Sequence, residues 1–243
     1  MSGALRAVLF DMGGVLIETG AYDPLRVTAN WMAHPAVQDY LGPGFTPEQV
    51  AQFCYGYIQE HVVNAPGHVS RDYWTTIREM FLTLTGRPAP YEVLEFNRIA
   101  FSEAEDPNLR PIPGAHAALE AVRAGGWRSG LVSNVFHPGL LYRRVLHRTG
   151  LLDLLEMTLF SSEFPVRKPH PDIFRHAARL IEVAPEGCLF VGDTFDRDIL
   201  GAKGVGMSTL WIDRKGRADA ETETVTPHVP DTVAAARYLA ETR

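Results

Sequence analysis

The sequence predicts an α/β protein: an open, doubly wound parallel sheet, interrupted after its first strand by an all-helical insertion. Three observations carry the prediction. Short apolar runs that read as buried strands recur along the chain, and the first of them ends on a polar residue and two glycines. Helical patterns separate the later runs, which is the alternation that produces a parallel sheet with helices on both faces. Between about 18 and 105 the strand signal fades, and Tyr, Trp, Phe and Leu recur at helical spacing.

Taken in order, residues 5–10 (LRAVLF) form the first strand, and Asp11 with Gly13-Gly14 closes it in a tight turn. Residues 18–105 make about four helices, broken by Pro and Gly near 42–47, 65–67 and 86–90. Pro107, Pro111, Pro113 and Gly114 mark the return to the sheet. Further strands fall over 126–134, 157–161, 188–191 and 208–212, with helices near 115–124, 138–148, 171–181 and 195–203. Ala218 to Pro230 reads as a surface loop before a closing helix from 231. The expected division is a core of residues 1–17 and 106–243 and a separate helical unit of 18–105.

With 243 residues, 46% of them hydrophobic, the chain can bury one large core and a satellite. Lys and Arg number 23 against 29 Asp and Glu, a net charge of −6, and no basic cluster is present, which argues against a nucleic-acid partner. Asp11 cuts the N-terminal apolar run short, and no stretch approaches the ~18 uncharged apolar residues of a membrane span. A cytoplasmic protein without a membrane partner is expected. Cys54 and Cys188 show no metal or disulfide spacing and are expected to be buried thiols.

Ligands of an open parallel sheet gather at the carboxyl ends of its strands. The sequence puts Asp11 there after the first strand, Ser133-Asn134 after the second, Lys168 on the loop after the third and Asp193 after the fourth. Singly, each has a structural explanation: the polar residues suit turns and helix N-caps, and Lys168 suits a solvated loop. Independent caps have no reason to set a carboxylate, a hydroxyl, a cation and a second carboxylate at four successive strand ends.

These segments resemble the motifs of the haloacid dehalogenase-like hydrolases, in order and across the whole chain. They are residues 10–16 (FDMGGVL), 131–134 (LVSN), 167–174 (RKPHPDIF) and 191–198 (VGDTFDRD). The resemblance implies a Rossmann-like catalytic core with a helical cap inserted after the first motif. It also implies a Mg²⁺-dependent hydrolase with an aspartyl-enzyme intermediate, acting on a small phosphate ester. By resemblance Asp11 is the nucleophile, and Ser133 donates to a phosphate oxygen with Met12, Gly13 and Asn134 beside it. Lys168 balances the charge of Asp11 and the phosphoryl group. Asp11, the Gly13 carbonyl and Asp193 are the implied Mg²⁺ ligands, Asp198 supports them, and Asp196 stays in solvent. A carboxylate is a poor nucleophile, and it attacks phosphorus only where a metal and a cation neutralise the substrate.

The sequence departs from the family pattern at Gly13, where phosphatases of the family carry a second Asp that protonates the leaving alkoxide. Glu18, His137 and His170 are the substitutes considered, His137 first because its ordinary pKa lies near neutrality. Phe164-Pro165 replaces a Gly-rich stretch ahead of Lys168. A haloacid dehalogenase is the second reading, since a departing halide needs no proton, and a phosphate-binding or regulatory module without turnover is the third. A phosphonatase requires a cap lysine, and residues 18–105 contain none. The aromatics of that unit (Tyr22, Trp31, Tyr40, Phe53, Tyr55, Tyr57, Tyr73, Trp74 and Phe81) are expected to form its own small core, one or two of them lining the pocket. A monomer or a homodimer is expected.

Overall fold

The computed structural model describes residues 4–19, 23–105 and 109–242. Tyr22 and Pro107, named above, lie outside that set. β1 (Ala7–Phe10) is followed by the short strand β2 (Ile17–Thr19) and then by five helices: α1 (Pro24–Met32), α2 (Pro35–Leu41), α3 (Pro47–Ile58), α4 (Tyr73–Thr85) and α5 (Tyr91–Glu105). β3 (Leu109–Pro111) leads back to an alternating series of α6 (Ala115–Ala124), β4 (Arg128–Ser133), α7 (Gly139–Arg148), β5 (Met157–Phe160) and α8 (Pro171–Leu180). The chain ends with β6 (Cys188–Gly192), α9 (Gly201–Lys203), β7 (Ser208–Ile212), α10 (Ala220–Val225), β8 (His228–Val229) and α11 (Thr232–Glu241).

The main sheet is parallel throughout, in the order β5-β4-β1-β6-β7-β8. The chain winds from β1 to β4 and β5 on one side and to β6, β7 and β8 on the other, so β1 sits at the switch point. Its four residues are all apolar because both faces are covered. Ala7 and Leu9 pack with Ile173 and Phe174 of α8, whereas Val8 and Phe10 pack with Leu119 of α6 and Leu239 of α11. Truncating the fully buried Phe10 to Ala would cost about 3–5 kcal/mol.

The inserted helices have a core of their own, centred on Trp31, Tyr40, Ile77, Phe81 and Leu94. Their starts are written locally. Asp23, Thr46 and Asp72 accept backbone N–H groups at the first turns of α1, α3 and α4, and Pro stands at the start of α1, α2 and α3. The insertion therefore has five α-helices among the described residues rather than about four, since Pro35 opens a short α2 that its neighbours obscure. Two strands also escape the sequence pattern: β2 and β3 pair antiparallel, Ile17 opposite Pro111, and three residues are too few to display an alternation. Two further expectations are corrected. Residues 195–200 wind as a π-helix before α9, and the expected loop 218–230 contains α10 and the edge strand β8.

The insertion meets the core along the loop before Lys168. Val69 bridges Val166, Ser70 N–H donates to the Pro165 carbonyl at 2.8 Å, and Arg167 N–H donates to the His68 carbonyl at 2.8 Å. No helix of the described residues is long and apolar enough to cross a membrane.

Candidate active site

Sheet register brings the predicted residues together. Phe10 lies opposite Leu131 on β4 and Val191 on β6, so Asp11, Ser133 and Asp193 emerge at one edge of the sheet. Asp11 Oδ1 accepts the Met12 N–H at 2.7 Å and lies 2.8 Å from Lys168 Nζ. The same ammonium lies 2.7 Å from Asp198 Oδ1. Lys168 is 2% exposed and Asp198 1%, so this is a buried cation between two carboxylates and not the solvated charge that Lys168 alone would suggest.

Burial alone would pull Lys168 down, but Asp11 and Asp198 outweigh it and hold its pKa above the ordinary value. Burial pushes Asp198 up, with Asp11 adding and Lys168 opposing. Burial also raises Asp193, again with help from Asp11, against the Thr194 hydroxyl and Lys168. Two of the three carboxyls, Asp193 and Asp198, are therefore harder to ionise than usual, chiefly because they are buried.

The arrangement fits a hard divalent cation. Asp11, Asp193 and Asp198 each offer an oxygen within 4.8 Å of the others'. Room beside them depends on Gly14, whose φ is +75°, and a Cβ there would fall 2.2 Å from Asp193 Oδ2. That steric demand explains the second glycine of the Gly13-Gly14 pair, which the sequence showed only as a turn.

Several supports were not legible in the sequence. The Asn134 amide donates to the Lys168 carbonyl at 2.9 Å, and its oxygen accepts the Lys168 N–H at 2.9 Å. Both ends of Asn134 therefore hold the lysine's backbone, while the residue also lines the cavity described below. Trp211 Nε1 donates to the Asp193 carbonyl at 3.1 Å, and the Thr194 hydroxyl and N–H bond Asp193 Oδ1 at 3.1 Å and Asp198 Oδ2 at 3.0 Å. The Arg167 guanidinium donates to the carbonyls of Val62, Val63 at 2.6 Å and Ala65 at 3.2 Å, capping the run of helix that continues α3.

A cavity of about 790 Å³ lies between sheet and insertion, and all eight predicted site residues line it: Asp11, Met12, Gly13, Ser133, Asn134, Lys168, Asp193 and Asp198. Asp196 is exposed and off the wall. The three substitutes for the missing acid fare differently. Glu18 is exposed on β2 and does not line the cavity. His170 is off the wall too, capping α8 with Nδ1 accepting the Asp172 N–H. His137 does line it, but burial, aided by Arg98, pushes its pKa down to about 4. Near pH 7 that leaves its ring neutral, which counts against His137 as the substitute acid. Cys188 is buried as expected, whereas Cys54 is half-buried on the cavity wall, its thiol pushed up to about 12 by burial.

The haloacid dehalogenase-like hydrolase family model matches residues 5–206. A glyceraldehyde 3-phosphate phosphatase of Pyrococcus furiosus is 34% identical over 210 residues, 86% of this chain and 80% of that protein. A ribulose-1,5-bisphosphate 5-phosphatase of Halopiger xanaduensis is 26% identical over 88% of this chain and 87% of its own length. Among solved structures, a 2-haloacid dehalogenase from Pseudomonas syringae pv. Tomato DC3000 superposes with a TM-score of 0.69 over 98% of this chain and 100% of that one. At 20% identity that likeness is one of fold. A switch-point strand that ends on Asp11, four ordered motifs on one cavity and a family match along most of the chain agree: the protein belongs to the haloacid dehalogenase-like hydrolases.

Proposed function

We propose that the protein is a Mg²⁺-dependent phosphatase of small phosphate monoesters, acting through an aspartyl-phosphate on Asp11, with residues 18–105 as the cap over a core of 1–17 and 106–243. The observation that carries the reading is the buried Lys168 ammonium, 2.8 Å from Asp11 and 2.7 Å from Asp198, in an acidic cluster completed by Asp193. The phosphatase names of the relatives from Pyrococcus furiosus and Halopiger xanaduensis support the choice of phosphate.

Bound Mg²⁺, with Asp11, the Gly13 carbonyl and Asp193 as ligands and Asp198 in support, would supply the charge that lets a phosphate dianion approach three carboxylates. The chain's own residues do the rest. Lys168 and the Met12 N–H orient the Asp11 carboxylate. An Asp11 oxygen attacks phosphorus, the ester P–O bond breaks, and its electron pair leaves on the alcohol oxygen. Water then opens the acyl phosphate and restores Asp11. Ser133, 3% exposed at the end of β4, donates its hydroxyl to a phosphate oxygen, while Asn134 keeps the Lys168 backbone in register.

Acetyl phosphate tests this chemistry, since its leaving group requires no acid. Hydrolysis is expected with Mg²⁺, lost in EDTA, and reduced by about four orders of magnitude or more in Asp11→Asn. Gly13, which carries no proton donor, favours dehalogenation as the second reading. Release of chloride from 2-chloropropionate that survives EDTA would establish it in place of the first. Phosphate binding without turnover of either compound would make the fold a binding module.

A further inference from the structure

The two ends of the cavity differ in chemistry. Its cap wall presents Ile58, Ile77, Met80 and a group of rings: Tyr73, Phe101, and Phe136 with His137 from the loop after β4. His137 stands 5.2 Å from Tyr73, 5.6 Å from Phe136 and 6.1 Å from Phe101 between ring centroids, the spacing at which aromatic rings pack favourably. Thr28, Tyr55 and Asn97 add polar groups to this wall, and His137 Nδ1 is buried without a hydrogen-bond partner. The Tyr73 hydroxyl already donates to Asn97 Oδ1 at 3.3 Å. Each hydroxyl of a leaving group that this largely apolar wall leaves unsatisfied would cost roughly 1–3 kcal/mol.

The second observation is independent of the first. Among the described residues, the only carboxyl groups on the cavity wall are those of Asp11, Asp193 and Asp198, all gathered at the Lys168 end. Gly13 stands where a proton donor would, and neither Glu18 nor His170 reaches the cavity. General acid help is worth about 10²–10⁴ in rate, and a substrate can do without it only if its leaving oxygen is already a weak base. Phenols ionise near pH 10, as tyrosine does, and aliphatic alcohols near the pKa of water, about 15.7.

We infer that the substrates of this site are aryl phosphates: monoesters whose ester oxygen is phenolic and whose ring stacks among Tyr73, Phe101, Phe136 and His137. The inference rests on the phosphatase reading. Asp11 forms its bond to phosphorus as the P–O(aryl) bond breaks, and the phenoxide departs with the electron pair. One water provides both the proton for the phenoxide and the hydroxide equivalent that opens the acyl phosphate, so the balance is ester plus water to phenol plus hydrogen phosphate. The cap selects the ring, and the ring's acidity replaces the missing acid.

The experiment compares kcat/KM with Mg²⁺ for phenyl phosphate, 2-phenylethyl phosphate, glyceraldehyde 3-phosphate and acetyl phosphate. Phenyl phosphate is expected to exceed 2-phenylethyl phosphate, which has the same ring but an alkyl oxygen, by at least about 100-fold. A second readout needs no turnover. In Asp11→Asn with Mg²⁺, calorimetry should show phenylphosphonate binding at least tenfold more tightly than methylphosphonate, with the ratio shrinking at least threefold in Asp11→Asn/Phe101→Ala. Alkyl esters cleaved as fast as phenyl phosphate, or equal affinities for the two phosphonates, overturn the inference while acetyl phosphate hydrolysis leaves the phosphatase reading standing. A folded enzyme that hydrolyses none of the four, acetyl phosphate included, overturns both.

Discussion

The two walls of the cavity are built on opposite physical terms. The core wall holds three carboxylates, the Ser133 hydroxyl and a lysine, set at or just after the ends of β1, β4 and β6 and on the loop after β5 by sheet register and hydrogen bonds. The opposite wall is aromatic and aliphatic: Ile58, Tyr73, Ile77, Met80 and Phe101 come from the insertion, whose sequence has no lysine, and Phe136 and His137 from the loop after β4. Under the proposed mechanism, charge at a low dielectric drives the reaction and has to be held rigidly, whereas the apolar surface meets the leaving group. Substitutions should therefore separate into those that destroy reactivity and those that alter fit.

The largest effect falls on Lys168. Lys168→Met leaves Asp11 and Asp198 buried without their common cation, and breaking a buried pair costs about 3–5 kcal/mol. Expected outcomes are a melting temperature lower by roughly 10 °C and turnover lower by about 10²-fold or more. Burial of the ammonium thus adds a folding cost to the loss of chemistry. Unchanged melting and unchanged turnover together would remove Lys168 from the centre of the site.

His137 belongs to the other wall, and its effect is on stability. Its folded pKa, about 4, is depressed below the ordinary 6.5, so as pH falls the unfolded chain takes up the proton first. The stability tied to its neutral form is complete above about pH 6.5 and is lost between there and about pH 4. By pH 5 the loss is about 2 kcal/mol. His137→Phe removes that slope, so urea denaturation at pH 7 and pH 5 should differ less in the variant than in the parent protein. Parallel pH profiles for the two would show that His137 does not titrate in this way.

The same division governed what could be read beforehand. Strands β1, β4, β5, β6 and β7 were legible because burial on both faces leaves continuous apolar runs, and Asp11, Ser133, Lys168 and Asp193 were legible because they stand where those runs end. β2, β3 and β8 were not, being two or three residues long and specified by their partners. Nor was Asn134 readable as a clamp on the Lys168 backbone, since its partner lies 34 residues away. On the cap side, sequence showed aromatic residues but could not choose among them. Tyr73 shares the insertion's core with Trp31, Tyr40 and Phe81 and, like Tyr55, also lines the cavity, which those three do not.

Arg167 joins the two walls, and its removal should have a moderate effect. Its guanidinium caps the carbonyls of Val63 and Ala65 in the insertion, one residue before the lysine of the core. Arg167→Ala is expected to raise KM about three- to tenfold and to cost about 1–2 kcal/mol of stability. Arg167→Lys should restore less than half of this, because a point charge does not reproduce a planar fork across several carbonyls. A kcat that falls while KM holds would mean that the clasp acts on Lys168 rather than on the seating of the insertion.

The smallest effect is expected at Asp196, two residues before Asp198 in the same acidic motif and already set in solvent by the resemblance. The π-helix over residues 195–200 turns them to different surroundings: Asp198 is 1% exposed beside Lys168, and Asp196 is exposed and off the cavity wall. Asp196→Ala is expected to change kcat/KM by less than about twofold and stability by less than about 0.5 kcal/mol. Asp198→Asn removes one of the two anions that hold the lysine ionised and should cost at least about 3 kcal/mol. If the two variants lost activity equally, the acidic field would extend into solvent beyond the buried cluster, and the sharp boundary between a charged core wall and its surroundings would have to be redrawn to include residue 196.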